Sequence, residues 1–540
     1  MTAFDYVIVG AGSAGSALAA RLTEDGRATV LLLEAGGSDR RIWIRVPIGY
    51  GKIYYDARVN WKYLTEPDPG LDGARTYWPR GKVLGGSSSI NAMVYVRGHP
   101  ADYAEWNESA PGWDWQEVAP VFRRMEDWEG GADEWRGAGG PLPVHDVSGE
   151  VHPLTRTYLE AAAEAGIPTN PDYNGARMDG AALYQITTKG GFRASAARAY
   201  LWPARGRRNL ETRLGAHATR ILFEGRRAVG VEYRRAGRLE RAQARAEVIL
   251  CGGAINSPQL LQLSGIGPGS LLRRYGIDIV RDAPEVGRNL QDHLGADHLY
   301  RSRAPTLNQE LRPWAGKLRA ALRYLLTRTG PLSLSLNQGG GFVRAMEGGG
   351  PPDLQLYFSP VSYTRAPPGT RPLMNPDPFP GFLLGFNPCK PTSLGSVAIR
   401  SADPLEAPEL RGNYLDTEHD RALMRAGVRL IRRIAAAPAL ASVIEEEIQP
   451  GPDAHSDEEV DAFIRAKSWS VFHQCGTCRM GRDPASSVVD PRLRAHGIEG
   501  LRVADASVFP TIPTGNINAP AIMVGERAAD LIRLDREAGA

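Results

Sequence analysis

Cysteine, net charge and long apolar runs are all scarce in this chain of 540 residues. Its 4 cysteines are too few for a disulfide-stabilised scaffold. The formal net charge of +3 is small for this length, and no tract of Lys and Arg indicates a nucleic-acid partner. No uninterrupted apolar run approaches the ~20 residues that span a bilayer. We therefore expect no nucleic acid as a partner and no transmembrane segment.

Two of the cysteines, Cys475 and Cys478, form a Cys-x-x-Cys motif, which occurs in zinc sites and in dithiol redox centres. A zinc site would need a second such pair, and Cys251 and Cys389 stand alone in the sequence. A thioredoxin-like motif would follow the first strand of a small α/β unit, which is not the context here. We therefore expect neither a metal site nor dithiol chemistry.

We expect no targeting segment before the first predicted element of the sequence. Apolar residues from Tyr6 to Val9 predict a strand that begins at Phe4, so a charged and apolar leader does not fit ahead of it. The length predicts two or more domains, and a hydrophobic fraction of 42% is typical of soluble globular proteins. These features predict a cytoplasmic protein and leave peripheral contact with a membrane open.

The N-terminal residues have the pattern of a dinucleotide-binding β-α-β unit. The motif Gly10-x-Gly12-x-x-Gly15 follows the first predicted strand and opens a predicted helix at Ser13–Thr23. Glu34 directly follows the next predicted strand, Thr29–Leu33, where an acid is expected in this motif. A glycine-rich turn without a ligand is the alternative interpretation, and the agreement of all three features favours the nucleotide site.

Each residue type of this motif has a physical role in holding a dinucleotide. Gly10 permits the tight turn, Gly12 lets the backbone approach a pyrophosphate, and Gly15 lets helix and strand pack closely. The helix N-terminus offers unpaired N–H groups to the anion. Glu34 would bind a ribose diol, which disfavours a 2′-phosphate. The motif alone does not decide between NAD and FAD.

Beyond this unit the sequence predicts a mixed α/β organisation. Residues 36–90 are rich in Gly, Pro and aromatic residues, and such a long irregular segment is expected to lie over a ligand. Residues 210–250 alternate like neighbouring strands, and residues 335–410 are mainly β with long loops. Helices are predicted at Thr417–Ala436 and at Ser456–Lys467, the second with a capping box formed by Ser456 and Glu459. The tail is predicted as strand, loop and helix.

Three stretches resemble signature regions of the glucose-methanol-choline (GMC) oxidoreductases, which bind FAD. They are RGKVLGGSSSINAMVYVRG at Arg80–Gly98, GAINSPQLLQLSGIGP at Gly253–Pro268, and HQCGTCRMG with the tail from Arg502 to Leu531. The matches follow the expected order through nearly the whole chain. Within the family, the sequence most resembles the bacterial choline dehydrogenases and their alcohol-dehydrogenase relatives.

The resemblance implies an α/β fold, α+β overall, in which a Rossmann-like FAD-binding domain adjoins a substrate-binding domain of antiparallel sheet and helices. All cofactor motifs lie in three outer blocks of the sequence. We therefore predict a discontinuous FAD-binding domain from residues 1–150, 195–295 and 470–540. Residues 151–194 and 296–469 are predicted to form the substrate-binding domain.

The resemblance also implies which residues contact FAD. In the family the first signature runs along the pyrophosphate and the edge of the flavin, the residues after the last strand approach the ribityl-pyrophosphate region, and one backbone position meets the adenine. The predicted cofactor-binding residues are Gly10, Gly12, Ser13, Ala14, Gly15, Glu34, Ala35, Arg80, Gly81, Val83, Gly85, Gly86, Ser87, Asn91, Ala92, Met93, Val94, Ala218, Asp505, Ala506, Asn516 and Asn518. Some relatives attach FAD through a histidine where this chain has Ile90, so the FAD is predicted to be non-covalent.

Two residues are predicted to carry catalysis. Oxidation of an alcohol by a flavin requires a base for the hydroxyl proton and a substrate carbon near flavin N5 for hydride transfer. Histidine suits the first task because its usual pKa is near neutral. His473 matches the active-site histidine of the family, and Asn516 matches its partner and would donate a hydrogen bond to the developing alkoxide. A buried structural histidine is the alternative for His473, whereas His293 and His298 are interpreted as structural or pocket residues.

The function predicted from the resemblance is FAD-dependent oxidation of a primary alcohol to an aldehyde. Non-redox lyases and photodecarboxylases on the same scaffold, and a flavin-binding protein without turnover, are the alternatives. An NAD enzyme is disfavoured because a single dinucleotide motif is present and the flavin signatures account for it. The electron acceptor, whether oxygen, a quinone or another carrier, is left open.

One position bears on the choice of alcohol. Choline-oxidising relatives carry Glu where this chain has Gly295, and the loss of that acid would remove the partner of choline's quaternary ammonium. The sequence therefore predicts a preference for uncharged primary alcohols over choline. Asp297, two positions further along, could replace the missing acid, so choline remains the alternative substrate.

Overall fold

The computed structural model describes residues 2–346, 348–363, 375–452 and 454–538. Two seven-stranded sheets dominate this part of the chain. In chain order their strands are β1 (Thr2–Val9), β2 (Val30–Glu34), β3 (Gly180–Leu183), β4 (Leu210–Leu214), β5 (Ala216–Glu224), β6 (Arg227–Arg235), β7 (Arg238–Leu250), β8 (Leu294–Ser302), β9 (Gly339–Val343), β10 (Leu354–Ser359), β11 (Gly381–Pro388), β12 (Ile444–Gln449), β13 (Trp469–Ser470) and β14 (Leu501–Val503).

The first sheet contains the predicted dinucleotide-binding unit. Its strand order is β4-β2-β1-β7-β6-β5, and β14 also pairs with β7. The pairs β4–β2, β2–β1, β1–β7 and β7–β14 are parallel, whereas β5 and β6 are antiparallel to their neighbours. Every residue of β2 is buried, which explains its continuous apolar run, because helices and loops cover both faces of a parallel sheet.

The second sheet is antiparallel and has the order β12-β8-β11-β10-β9-β3, with β13 paired to one end of β8. All residues of β10 and β11 are buried. The glycines of β9 permit close packing: a Cβ atom at Gly340 would lie 2.1 Å from the carbonyl oxygen of Leu356 and 2.4 Å from the Tyr184 ring. The backbones of β9 and β10 and the ring of Tyr184 can therefore approach each other closely at Gly340.

Longer helices cover both sheets, and shorter elements join them. The described helices of eight or more residues are α1 (Ser13–Leu22), α2 (Pro100–Ser109), α3 (Trp115–Met125), α4 (Pro153–Glu164), α5 (Gly253–Leu263), α6 (Trp314–Thr327), α7 (Glu418–Ala435), α8 (Asp457–Lys467) and α9 (Asn518–Ala538). Shorter helices and helical turns lie at Ile42–Arg45, Pro47–Gly49, Tyr50–Ile53, Pro69–Leu71, Gly86–Ser89, Ala197–Leu201, Trp202–Ala204, Gly269–Arg274, Leu307–Leu311, Pro331–Ser333, Pro438–Ala441 and Ala506–Val508.

Five small two-stranded sheets complete the part of the fold that the structure describes. They pair Tyr63–Leu64 with Tyr77–Trp78, Glu126–Trp128 with Leu142–Val144, Thr188–Lys189 with Phe192–Arg193, Ile266–Gly267 with Arg281–Asp282, and Ser396–Ala398 with Glu409–Arg411. Within the described residues, the longest helices are too polar for any of them to cross a membrane.

The capping box predicted for α8 is confirmed. The Ser456 side chain accepts a hydrogen bond from the backbone N–H of Glu459 at 3.2 Å, and the Glu459 carboxylate accepts one from the backbone N–H of Ser456 at 2.9 Å. Each bond satisfies an N–H group that the first turn of the helix leaves without a partner. The predicted mixed α/β fold with a Rossmann-like sheet is likewise confirmed.

The two sheets draw on different parts of the sequence. All strands of the first sheet fall within residues 1–150, 195–295 and 470–540. The strands of the second sheet fall within residues 151–194 and 296–469, except for the first two residues of β8 and the last residue of β13. We propose on this basis that these blocks form an FAD-binding and a substrate-binding domain.

Candidate active site

A cavity of about 330 Å³ lies between the two sheets. This volume is within the range of roughly 300–1,000 Å³ that small-molecule sites have. Strand residues of both sheets line it, among them Val9 and Leu250 from the first and Tyr357 and Leu383 from the second. The irregular segment 36–90 also contributes to the wall, as its aromatic composition led us to expect.

Two glycines of the N-terminal motif, Gly10 and Gly15, are required by close contacts between backbones. Gly10 has a φ of +105°, and a Cβ atom there would lie 2.3 Å from the carbonyl oxygen of Cys251, which directly follows the neighbouring strand β7. A Cβ atom at Gly15 would lie 2.0 Å from the carbonyl oxygen of Gly10. Gly10 and Gly12 line the cavity, whereas Gly15 lies below it and lets α1 pack against β1.

Three helices begin at this part of the cavity wall. Ser13 of α1, Gly253 of α5 and Asn518 of α9 all line the cavity. The Ser13 hydroxyl donates a hydrogen bond to the Asn518 side-chain oxygen at 2.7 Å, which joins the starts of α1 and α9. Helix N-termini present unpaired N–H groups and partial positive charge, so this end of the cavity suits the pyrophosphate of a dinucleotide.

Two buried carboxylates hold the backbone at the same end. Glu34 accepts hydrogen bonds from the backbone N–H groups of Ala11 at 3.1 Å and Gly36 at 2.8 Å, and burial raises its pKa to about 7. Asp505 accepts hydrogen bonds from the Gly253 N–H at 2.8 Å and from the Ser257 hydroxyl at 2.6 Å. Both side chains line the cavity, where Glu34 can accept hydrogen bonds from a ribose diol.

Most predicted cofactor-binding residues meet at this single cavity. Those that line it are Gly10, Gly12, Ser13, Ala14, Glu34, Ala35, Arg80, Gly81, Gly86, Ser87, Asn91, Ala92, Met93, Val94, Ala218, Asp505, Ala506, Asn516 and Asn518. Gly15, Val83 and Gly85 are not among the described residues that line it. Val83 is buried in an apolar cluster and its carbonyl accepts the Gly86 N–H, while Gly85 forms the turn before Gly86 with a φ of +88°.

His473 is buried at the wall of the same cavity and is bonded at both ring nitrogens. Its Nδ1 lies 2.8 Å from Nδ1 of His293, and its Nε2 lies 3.1 Å from the amide nitrogen of Asn516. The Asn516 side-chain oxygen accepts a hydrogen bond from the amide of Gln355 on β10 at 2.9 Å. This bond turns the Asn516 amide N–H groups towards His473.

The hydrogen bonds of His293 determine which nitrogen of His473 carries the proton. His293 Nε2 lies 2.9 Å from the carbonyl oxygen of Cys389, and a carbonyl can only accept, so this nitrogen must be protonated. In neutral His293 the Nδ1 atom is then an acceptor, and it receives the N–H of His473 Nδ1. The unprotonated Nε2 of His473 therefore faces Asn516 at the cavity wall.

Burial keeps both imidazoles neutral. Loss of hydration lowers the pKa of His293 to about 4. The pKa of His473 falls well below its usual value, chiefly because of burial and further because of His293 and the Arg80 guanidinium. At neutral pH, His473 is therefore an uncharged proton acceptor.

Asp292 fixes the loop that carries His473. Its buried carboxylate accepts hydrogen bonds from the backbone N–H of His473 at 2.7 Å, from the Gln474 amide at 2.7 Å and from the Tyr414 hydroxyl at 2.5 Å. The Ser470 hydroxyl donates a fourth. Sequence reasoning did not single out Asp292 and took its neighbour His293 for a structural or pocket residue, although both belong to the LQDH stretch.

The remaining buried histidine, His298, is not among the described residues that line the cavity. His298 is buried in the second sheet between aromatic rings, and burial lowers its pKa to about 3. All four cysteines are free and buried. Among the described residues, no three His, Cys, Asp or Glu side chains are grouped so that they could hold a metal ion.

Positions 295 and 297 lie on the same face of β8, and of the two only Asp297 is among the described residues that line the cavity. A Cβ atom at Gly295 would lie 3.0 Å from the carbonyl oxygen of Phe386 and 3.1 Å from Cγ2 of Val471. Asp297 lies two residues further along the strand, so its side chain is on the same face, and it lines the cavity. Tyr357 and Trp469 are also part of this wall.

The parallel sheet, the glycine-rich turn at its edge and a neutral histidine beside an amide donor define a flavin-dependent oxidoreductase. Comparison with known families gives the same class. The GMC oxidoreductase family model matches residues 4–295 with its N-terminal part and 391–525 with its C-terminal part. This chain belongs to the GMC oxidoreductase family, its cofactor is FAD, and it acts on CH–OH groups.

Individual relatives cover almost the whole chain. The sequence is 45% identical to the oxygen-dependent choline dehydrogenase of Vibrio vulnificus (strain YJ016), over 98% of this chain and 94% of that protein. It is also 45% identical to the mitochondrial choline dehydrogenase of Homo sapiens, over 98% of this chain and 90% of that protein. These relatives do not support the predicted preference for uncharged alcohols over choline.

Two solved structures share the fold from end to end. Pyridoxine 4-oxidase from Mesorbium loti superposes with a TM-score of 0.88 at 34% identity, covering 98% of this chain and 99% of that one. A formate oxidase superposes with a TM-score of 0.92 at 28% identity, covering 99% of both chains. The fold thus occurs in enzymes whose names state quite different substrates, so the alcohol must be argued from the site itself.

Proposed function

We propose that the protein oxidises a primary alcohol to an aldehyde, with His473 accepting the hydroxyl proton and Asn516 donating a hydrogen bond to the alcohol oxygen. The observation that carries this proposal is the protonation pattern of the buried pair. The unprotonated Nε2 of His473 and an amide N–H of Asn516 meet 3.1 Å apart at the cavity wall.

The chemistry follows from these two groups. An alcohol oxygen that displaces the contact between them gives its proton to His473 Nε2 and accepts the Asn516 N–H, which stabilises the negative charge that develops on it. FAD, when bound, supplies the acceptor for the hydride that leaves the substrate carbon. Because His473 is neutral at physiological pH, it needs no prior loss of a proton to act as the base.

We further propose that the FAD is held without a covalent bond. Ile90 lines the cavity at the position where a covalently linked relative would carry its histidine, and an alkyl side chain cannot form such a bond. Purified protein is expected to be yellow and to release all of its flavin to the supernatant after denaturation with acid. Yellow colour that stays with the precipitated protein would contradict this.

For the substrate, we infer a preference for uncharged primary alcohols. Gly295 contributes no carboxylate, and a larger side chain there would have to displace Val471. Choline is the second candidate, and two observations favour it. Asp297 lines the cavity together with Tyr357 and Trp469, a carboxylate and aromatic faces of the kind that bind a quaternary ammonium, and the relatives at 45% identity are named choline dehydrogenases.

A matched pair of substrates separates these candidates. We expect kcat/KM for the uncharged dimethylbutanol isostere of choline, in which carbon replaces the quaternary nitrogen, to exceed that for choline by roughly tenfold or more, about 1.4 kcal/mol. The Asp297→Asn variant should leave kcat/KM for the isostere unchanged. A wild-type enzyme that prefers choline, and loses that preference on Asp297→Asn, would show instead that Asp297 holds the cation.

A further inference from the structure

Helix α6 exposes an unusual number of large apolar side chains. Trp314 is 77% exposed, Leu318 43%, Leu322 49%, Leu325 62% and Leu326 83%. Single exposed leucines are ordinary on a protein surface, but five such residues on one helix of 14 are not. This feature lies outside the cavity, and alcohol oxidation does not account for it.

The five side chains form one continuous face that points away from the protein. At 100° per residue they fall within an arc of about 120° around the helix axis. The residues of α6 that are buried, Ala320 and Tyr324, lie on the opposite side. Tyr324 holds this side of the helix against the protein, because its hydroxyl donates a hydrogen bond to the Gly191 carbonyl at 2.8 Å. The apolar face is therefore turned to the solvent, whereas an amphipathic surface helix usually turns it to the core.

Positive charge flanks this face on both sides. Around the same helix axis, Lys317 lies beyond one edge of the apolar arc, and Arg319 and Arg323 lie beyond the other edge. All three side chains are exposed. Residues 311–346 contain six Lys or Arg and no Asp or Glu. No ion pair to a carboxylate involves these three side chains within the described residues, so their charges are available to an anionic surface.

A second apolar patch lies close to α6. The short helix Ile42–Arg45 exposes 62% of Ile42 and 43% of Trp43. It contacts the turn Pro47–Gly49, which packs on the turn Pro331–Ser333 beneath α6. Both Arg45 and Arg328 place their guanidinium groups over the Phe192 ring, which meets the ring of Tyr324 edge-on. This neighbouring helix thus adds apolar and positive groups beside α6.

We propose that the exposed face of α6 docks on the surface of a lipid bilayer that carries anionic headgroups. The leucines and Trp314 would enter the boundary between headgroups and acyl chains, while Lys317, Arg319 and Arg323 extend to the phosphates. A face that is apolar at its centre and cationic at its edges is the pattern of helices that lie in the membrane interface. A symmetric dimer through α6 would instead bring like charges together, with no acid on the helix to pair with them.

The docking helix is joined to the cavity wall by one apolar cluster. Ala320 and Tyr324 pack in a cluster that includes Tyr50 and Met93, and both of these residues also line the cavity. Docking through α6 would therefore bring this side of the cavity close to the bilayer surface. The proposal goes beyond the oxidation of an alcohol and does not depend on which alcohol is the substrate.

Vesicle flotation of the FAD-loaded enzyme tests the proposal. We expect binding to vesicles of phosphatidylcholine and phosphatidylglycerol, weaker binding to phosphatidylcholine alone, and a decline as salt is raised. Combined Leu322→Ser, Leu325→Ser and Leu326→Ser substitutions should reduce the bound fraction more than tenfold. The matched control combines Leu239→Ser, Leu405→Ser and Leu534→Ser, which are similarly exposed leucines elsewhere, and should bind like the wild type.

Charge and assembly give separate readouts. Lys317→Glu with Arg323→Glu should abolish the preference for anionic vesicles while flavin content and alcohol oxidation in solution stay unchanged. The proposal would be overturned if the α6 leucine variant and the wild type bound anionic vesicles equally well. It would also be overturned if the wild-type protein did not bind anionic vesicles at low salt. A wild-type dimer that dissociates on the leucine substitutions, without any vesicle binding, would show that a second copy covers this face.

Discussion

The His473→Ala variant is expected to lower the rate of alcohol-dependent flavin reduction by a factor of roughly 10²–10⁴, the usual contribution of a positioned general base. In the wild type, Nε2 of His473 is the proton acceptor at the cavity wall. The protonation state of this imidazole is set by a chain of hydrogen bonds through His293 to the Cys389 carbonyl. Alanine removes the acceptor without touching the glycine-rich end of the cavity. Flavin content should therefore stay near that of the wild type, and anaerobic stopped-flow reduction measures the loss.

Two further variants make this result specific. His473→Gln retains polar atoms but no basic nitrogen, so it should lose nearly as much activity as His473→Ala. His419→Ala removes an exposed histidine on α7, away from the cavity, and should behave like the wild type. Near-wild-type reduction by His473→Ala with full flavin content would exclude His473 as the base.

The Asn516→Ala variant is expected to slow the same step by about 10²–10³, as for the loss of one preorganised donor to a developing oxyanion. Gln355 holds the Asn516 side-chain oxygen at 2.9 Å, so the amide N–H is already aimed when substrate arrives. The loss should appear mainly in the rate of reduction at saturating alcohol rather than in KM, because the donor acts on charge that forms during the reaction.

Replacement by a different donor provides the control for Asn516. Asn516→His offers an N–H at the same position and should recover much of the lost rate, whereas Asn516→Leu should not. If all three variants lose equally, Asn516 serves the packing of the loop rather than the alkoxide.

Local patterns made the N-terminal unit predictable. The glycine spacing, the apolar strand and the following helix all lie within about 30 residues, and the structure reproduces β1, α1 and β2 within about two residues of the predicted bounds. The roles predicted for Gly10 and Gly15 follow from the same local geometry. The signatures in the resemblance led to His473 and Asn516, which the fold brings within 3.1 Å of each other.

The partner of His473 was not predictable from local patterns. His293 lies 180 residues earlier in the chain, and the two meet because β8 pairs with β13, which aligns Gly295 with Trp469. Only the folded sheet shows that the residues next to this pairing, His293 and His473, share a hydrogen bond. The LQDH stretch contains three consecutive polar residues between apolar neighbours, and that was the one signal available.

Helix α6 shows a different limit of sequence analysis. Its apolar period is regular, and such a pattern normally indicates a helix whose apolar face packs on the core. The direction of the face depends on which residues the rest of the chain buries, here Ala320 and Tyr324. That choice is made by tertiary contacts and is absent from the periodicity.

The pH dependence of anaerobic flavin reduction tests the neutral His473 most directly. Burial lowers the pKa of this imidazole, so its basic form persists at pH values where an exposed histidine would already be protonated. The rate at saturating alcohol should therefore stay constant from pH 8 down to well below pH 6.5, then fall as His473 gains a proton, and His473→Ala should lack this fall. The account would be contradicted if the wild-type rate declined with a midpoint above pH 6.5 and the His473→Ala variant lacked that decline.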